Sequence, residues 1–263
     1  MPIALITGAS KGLGEDFARQ LAAKGYNLVL VARSQDRLQA LGAELMAAHG
    51  IKAEAIAVDL TQPQACQQVF DQLQAMDWAV DLLINNAGFG DYGEFGTCDG
   101  PSQTSMVQLN VQALVDMTHL VLPGMQARGQ GAVINVASIA AFQPMPYMSV
   151  YAASKAFVLS FSSALWAENK DRGIYVQCLC PGATETNFAA VSGLDKVFGD
   201  SNSQFKLAES GDVVREALVA MEKKQAIVVT SGFSNRLIAG MGKLFPNELT
   251  ATMTAKIFGR GQK

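Results

Sequence analysis

Apolar runs alternate with helix-period segments along most of the chain. The runs at 2–7, 26–32, 53–58, 80–85, 131–137, 173–180 and 226–230 predict strands. The first, from Pro2 to Thr7, is short, apolar and partly β-branched, as a strand buried on both faces should be. Segments near 14–24, 35–49, 62–76, 102–127, 150–171 and 211–224 carry helical spacing. Strands that take turns with helices in this way predict an α/β fold, a parallel sheet covered on both faces. Ligands of such sheets bind outside the carboxyl ends of the strands. No repeat, low-complexity tract or linker divides the 263 residues, which suffice for one domain with a substantial core.

The first strand runs into Thr7-Gly8-Ala9-Ser10-Lys11-Gly12-Leu13-Gly14 and then into a helical pattern. Glycines at a strand-to-helix turn allow tight backbone angles and let a diphosphate approach free N–H groups at the helix start. The Gly-x-x-x-Gly-x-Gly spacing differs from the common dinucleotide fingerprint. A turn with only a packing role is the alternative. The second strand ends at Arg33, nineteen residues beyond Gly14, with no carboxylate before Asp36. A guanidinium there suits a 2′-phosphate, where a carboxylate would suit the ribose hydroxyls of NAD. Lys11 adds a second cation on that side, so NADP(H) is expected over NAD(H). A solvated loop charge is the other reading of Arg33.

Tyr151 and Lys155 stand four residues apart within one helical segment, which puts phenol and ammonium on one face. A free tyrosine titrates near pH 10, and an adjacent positive charge lowers that value toward neutrality. Ser138, thirteen positions upstream, can hold and polarise the oxygen that exchanges the proton. Alone, the Tyr-x-x-x-Lys spacing is also that of an ordinary surface pair.

Composition narrows the field. A net charge of −3 and a sequence pI near 5.4 leave no electrostatic footprint for nucleic acid. Cys66, Cys98, Cys178 and Cys180 form no Cys-x-x-Cys, and with only His49 and His119 they suggest no metal site. Cys178 and Cys180 share one side of a strand and read as core thiols. The first strand begins at residue 2 and no apolar stretch reaches 18 residues, so a cytoplasmic protein is expected.

The glycine turn, Asn85-Asn86-Ala87-Gly88, Asn110, Ser138, Tyr151, Lys155 and Pro181-Gly182 occur in the order and rough spacing of the short-chain dehydrogenase/reductase family. The chain resembles that family from about Pro2 to Val229. Asp59-Leu60, Phe89-Gly90 and Arg33 look similar to its NADPH-preferring branch of ketosteroid and ketoacyl reductases. The resemblance implies a single Rossmann-type, doubly wound domain and hydride transfer between a nicotinamide cofactor and an alcohol or carbonyl. It implies a catalytic set of Asn110, Ser138, Tyr151 and Lys155, with Asn110 kinking its helix and holding a relay water. Lys155 would also bond the nicotinamide ribose. Cofactor contacts would come from Thr7, Gly8, Ser10, Lys11, Gly12, Leu13, Gly14 and Arg33. Asp59 and Leu60 would meet the adenine, though a turn-forming role for Asp59 is open. Asn86, Ala87 and Gly88 would pass the adenosine ribose, and Pro181, Gly182, Thr184 and Thr186 would carry the nicotinamide. Two rival readings are a non-catalytic dinucleotide-binding regulator or scaffold on the same fold and a sugar-nucleotide epimerase or dehydratase.

The domain with its cofactor and substrate sites is expected over 1–232, including a substrate loop at about 183–210. Segments Phe89 to Phe95, Ile139 to Met148 and Phe188 to about Phe205 should wall the cleft with apolar side chains, including Phe95, Phe142, Val191, Leu194, Val197 and Phe198. Such a lining predicts an apolar ketone, aldehyde or secondary alcohol as substrate. The tail over 233–263 mixes apolar residues with five basic residues against Glu248. It reads as a helical cap or subunit contact, with weak attachment to an anionic membrane surface as a further reading. The 150–171 helix carries more apolar surface than one sheet-facing stripe needs, and the resemblance implies that it and the 102–127 helix pair with their copies, so a homodimer or homotetramer is expected.

Overall fold

The computed structural model describes residues 1–185, 188, 192–193, 207–241 and 245–259. The main strands are β1 (Ile3–Thr7), β2 (Asn27–Ala32), β3 (Ala53–Ala57), β4 (Leu82–Asn85), β5 (Gly131–Val136) and β6 (Ile174–Cys180). After them come a two-residue pair, β7 (Thr184–Glu185) with β8 (Ala208–Glu209), and β9 (Ile227–Val229). The large sheet has the order β3-β2-β1-β4-β5-β6-β9 and every pairing in it is parallel. Its order reverses between β1 and β4, and the strand ends there form the crevice in which doubly wound folds hold ligands. The expected single-domain, Rossmann-type fold is therefore present. The short β7–β8 pair was not legible, because two residues carry no period.

Successive β1 side chains enter different layers. Ala4 and Ile6 pack with Phe17, Leu21 and Leu38, whereas Leu5 packs with Val69, Met117 and Val121. The first layer is covered by α1 (Leu13–Ala23), α2 (Gln35–His49) and α7 (Ser210–Glu222). The second is covered by α3 (Ala65–Ala75), α5 (Ala113–Arg128) and α6 (Ser149–Asn169). Burial on both faces explains why the strand runs read as apolar throughout, each buried Leu or Ile contributing about 1.5–3 kcal/mol. α5 runs through Pro123, an interior breaker worth about 3 kcal/mol. Its buried Leu114, Met117, Val121 and Met125 outweigh that loss.

The expected helix over 102–127 is not continuous. α4 (Gly100–Val107) gives way to a π-helical turn at Gln108–Gln112 before α5 begins. Asn110 sits in this wide turn, the kink implied by the family resemblance, and π-bulges of this kind gather at functional sites. The tail forms α8 (Phe233–Met241) and α9 (Asn247–Phe258). Among the described residues no helix is long and apolar enough to cross a membrane, and no group of three His, Cys, Asp or Glu residues is arranged to hold a metal.

Candidate active site

Thr7, at the end of β1, organises the switch point. Its Oγ1 accepts from Asn86 N–H and Ala87 N–H at 3.0 Å each and donates to Ile84 O at 3.3 Å. Asn86 Nδ2 donates to Thr7 O at 3.0 Å and Gly8 O at 3.2 Å. The glycine turn is thereby clamped to the turn after β4. Gly8 has φ +68, and a Cβ there would lie 2.8 Å from Asn86 Nδ2. A Cβ on Gly14 would lie 2.2 Å from Gly8 O. Both glycines are required by backbone proximity, so the packing role and the cradle role coincide. Asn85, one residue earlier, ties the sheet to its cover: Nδ2 donates to Thr118 Oγ1 at 2.8 Å and Asn135 Oδ1 at 2.9 Å.

These residues suit a dinucleotide. The α1 start has no side-chain cap, so its first N–H groups face the turn formed by Ser10, Lys11 and Gly12. Ala9 N–H donates to Val31 O at 3.2 Å, which holds this turn against the end of β2. Lys11 and Arg33 are both exposed at that edge, and neither enters an ion pair among the described residues. A small hollow lined by Thr7, Leu60, Asn85, Ala87, Leu109, Ala113 and Leu114 lies beside the strand ends. Asp59 is a turn residue here, its Oδ1 accepting from Thr61 N–H at 3.0 Å and Thr61 Oγ1 at 2.8 Å. After β6, Thr184 Oγ1 donates to Gly182 O at 2.9 Å, which tightens the Pro181-Gly182 turn. Thr186 lies outside the described residues.

The expected catalytic side chains converge. Ser138, Tyr151 and Lys155 meet at the ends of β5 and β6, and Ser138 is hydrogen-bonded to the phenol. Lys155 Nζ donates to Val136 O at 2.8 Å and lies 5.8 Å from the Tyr151 ring centre. Asn110 Oδ1 accepts from Phe89 N–H at 3.0 Å, and its Nδ2 donates to Phe89 O at 2.9 Å and Ser154 Oγ at 3.1 Å. Both amide N–H groups are thus spent on protein, and the Asn110 side chain acts as a brace between the Phe89 loop and α6. Ser154 completes it by donating to Tyr151 O at 2.7 Å. Sequence reading missed Ser154, since nothing but its place between Tyr151 and Lys155 marks it.

One electrostatic expectation is reversed. Burial pushes the Tyr151 phenol up to about 12, and its hydrogen bond with Ser138 recovers only part of that. Burial also brings the Lys155 ammonium down to about 8. Desolvation of a fully enclosed pair outweighs the mutual help that helical spacing alone suggested. Tyr151 is therefore the neutral phenol at neutral pH, with its proton in place, and not the phenolate. Cys178 and Cys180 lie behind the pair with their sulfurs 3.7 Å apart, and the Cys178 contact together with burial raises the Cys180 thiol.

Around Tyr151 the wall is apolar. Phe89, Tyr92, Met145, Tyr147 and Met148 pack in its cluster, and the Phe188 ring stands 5.2 Å from the phenol ring. Two expected wall residues are elsewhere. Phe95 is 64% exposed at the start of a short 3-10 helix (Phe95–Thr97), and Phe142 packs with Leu114 and Val158 in a separate part of the core. Met106 and Phe258, which carried no signal of their own, join the wall. Val191, Leu194, Val197, Phe198 and Phe205 lie outside the described residues.

Comparison with known proteins agrees with this geometry. A very-long-chain 3-oxoacyl-CoA reductase of Pyrenophora tritici-repentis is 39% identical over 182 residues, covering 67% of this chain and 53% of that protein. The chain spans about half the length of that curated relative. A short-chain dehydrogenase from Sphingobium yanoikuyae in complex with NADPH superposes with a TM-score of 0.83 at 35% identity, covering 93% of this chain and 94% of the other. The bulky-bulky ketone specific alcohol dehydrogenase from Comamonas testosteroni gives 0.79 at 31% identity, covering 93% of each. The family pattern described as short chain dehydrogenase matches residues 2–196. With the glycine turn, the Ser138-Tyr151-Lys155 cluster and this match in agreement, the chain belongs to the short-chain dehydrogenase family.

Proposed function

We propose that this protein is an NADPH-dependent reductase of apolar ketones and aldehydes, of acyl, steroid-like or aromatic type. The observation that carries the reading is the position of the Tyr151 phenol: 8% exposed, holding its proton, and enclosed by aromatic and methionine side chains. A sugar or small acid in that enclosure would leave polar groups without partners, at a cost of about 1–3 kcal/mol each. Ser138 and Tyr151 would hold the carbonyl oxygen, and Tyr151 would deliver the proton. Lys155 would keep its charge next to that oxygen as negative charge develops on it. The dinucleotide supplies or takes the hydride when bound, and the chain's part is to orient it and exclude water. The Arg33 and Lys11 edge supports NADPH, while solved family members carry NADPH in one case and NAD in another. A panel of carbonyl compounds with NADPH tests the reading. Turnover should rise along a series of longer or more aromatic ketones, and a marked preference for a charged or sugar carbonyl would end it.

A homodimer or homotetramer is part of the same proposal. Phe157 and Trp166 on α6 and Val107 on α4 are each more than a third exposed, and the Phe157 ring stacks on Phe161 at 5.7 Å. Large apolar residues exposed on neighbouring helices suit an isologous contact across a two-fold axis. Light scattering at micromolar concentration should return a multiple of 27.9 kDa, and a monomer would count against it.

A further inference from the structure

We infer that α9 is a latch across the substrate cleft, and that its last residue, Phe258, sets the largest group the cleft accepts. The inference rests on the proposed apolar-carbonyl cleft and adds the element that bounds it. Phe258 is 7% exposed and packs in the same cluster as Tyr151, although it arrives from the far end of the chain. The end of α9 is held from both cleft walls. Tyr92 Oη donates to Phe258 O on one side, and on the other Thr254 Oγ1 lies 3.0 Å from Pro144 O. Gly259 lies against Tyr147, where a Cβ would come within 3.2 Å of the phenol oxygen. Tyr147 itself has φ +66, a left-handed conformation that a tyrosine keeps only where its surroundings impose it. Besides Gly259 after the latch, those surroundings are the facing wall: Gly93 N–H donates to Tyr147 O at 2.9 Å, and the Tyr147 ring is 6.1 Å from that of Tyr92.

The latch is built to be released. The Thr254 hydroxyl has one proton for three carbonyls, Pro144 O, Thr250 O at 2.9 Å and Ala251 O at 3.1 Å. The helix's own carbonyls therefore compete with the tether to Pro144. The inner positions Thr250 and Thr254 are buried while Leu249 and Met253 are about half exposed, so α9 is gripped along one edge. An acyl or aryl group that reaches Phe258 must lift this edge, and a shorter one does not meet it.

The test compares kcat/KM for a small methyl ketone and for a ketone bearing bulky aryl groups on both sides, in the full chain with NADPH. Phe258→Ala should raise the bulky-to-small ratio about tenfold, the scale at which pocket size discriminates substrates. Thr254→Val, which loosens the tether without enlarging the cleft, should shift the ratio the same way by less. NADPH binding and circular dichroism report that each variant is folded. If Phe258→Ala does not fold, the Thr254→Val ratio decides. An unchanged ratio in folded variants overturns the latch. A wild type that prefers sugar or charged carbonyls overturns the apolar reading instead. The latch is then judged by the same ratio on large and small members of the class it accepts.

Discussion

Tyr151→Phe is expected to lower kcat for carbonyl reduction by about two to four decades, the usual contribution of a positioned general acid. The phenol is buried, hydrogen-bonded to Ser138 and holds its proton up to about 12, so the substitution removes the transferable proton and little else. NADPH binding should survive. Lys155→Met should impair turnover and cofactor binding together, since Nζ stands 2.8 Å from Val136 O at the strand ends where the cofactor would lie. The pH profile gives a second readout. Lys155 carries its charge below about 8 and loses it above, so kcat/KM for reduction should fall as pH rises through that value. An arginine at that position keeps its charge, and Lys155→Arg should move the limb upward. Reduction by Tyr151→Phe at near the wild-type rate would sink the mechanism.

The second large effect concerns cofactor choice. Arg33→Ala should weaken NADPH binding by roughly one to two decades and leave NADH binding nearly unchanged. The guanidinium is exposed beyond β2, on the edge that the Ala9–Val31 hydrogen bond brings against the Lys11 turn. Charge-assisted contact with a phosphate is stronger than a neutral hydrogen bond, and NADH has no phosphate there to lose. Comparing kcat/KM for the two cofactors in wild type and variant measures the effect. Equal use of both by the wild type would refute the assignment.

Much of the fold and the core of the site were legible in the chain. Seven apolar runs separated by helical periods specify a doubly wound sheet, because strands covered on both faces leave no polar alternation. Thr7 to Gly14 and the Tyr151–Lys155 spacing are local patterns on single elements, and local patterns are what periodicity reports. Tertiary structure decided the remainder. Asn110 became a brace between Phe89 and Ser154 only because a π-helical turn aimed it at a loop twenty-one residues away. The shifts at Tyr151 and Lys155 run against the expectation from their spacing, because desolvation depends on every element packed around the pair and not on their helix. Phe95 and Phe142 left the cleft wall and Phe258 entered it for the same reason. Which side chains share an enclosure is set by contacts between distant segments, and those contacts have no period in the sequence.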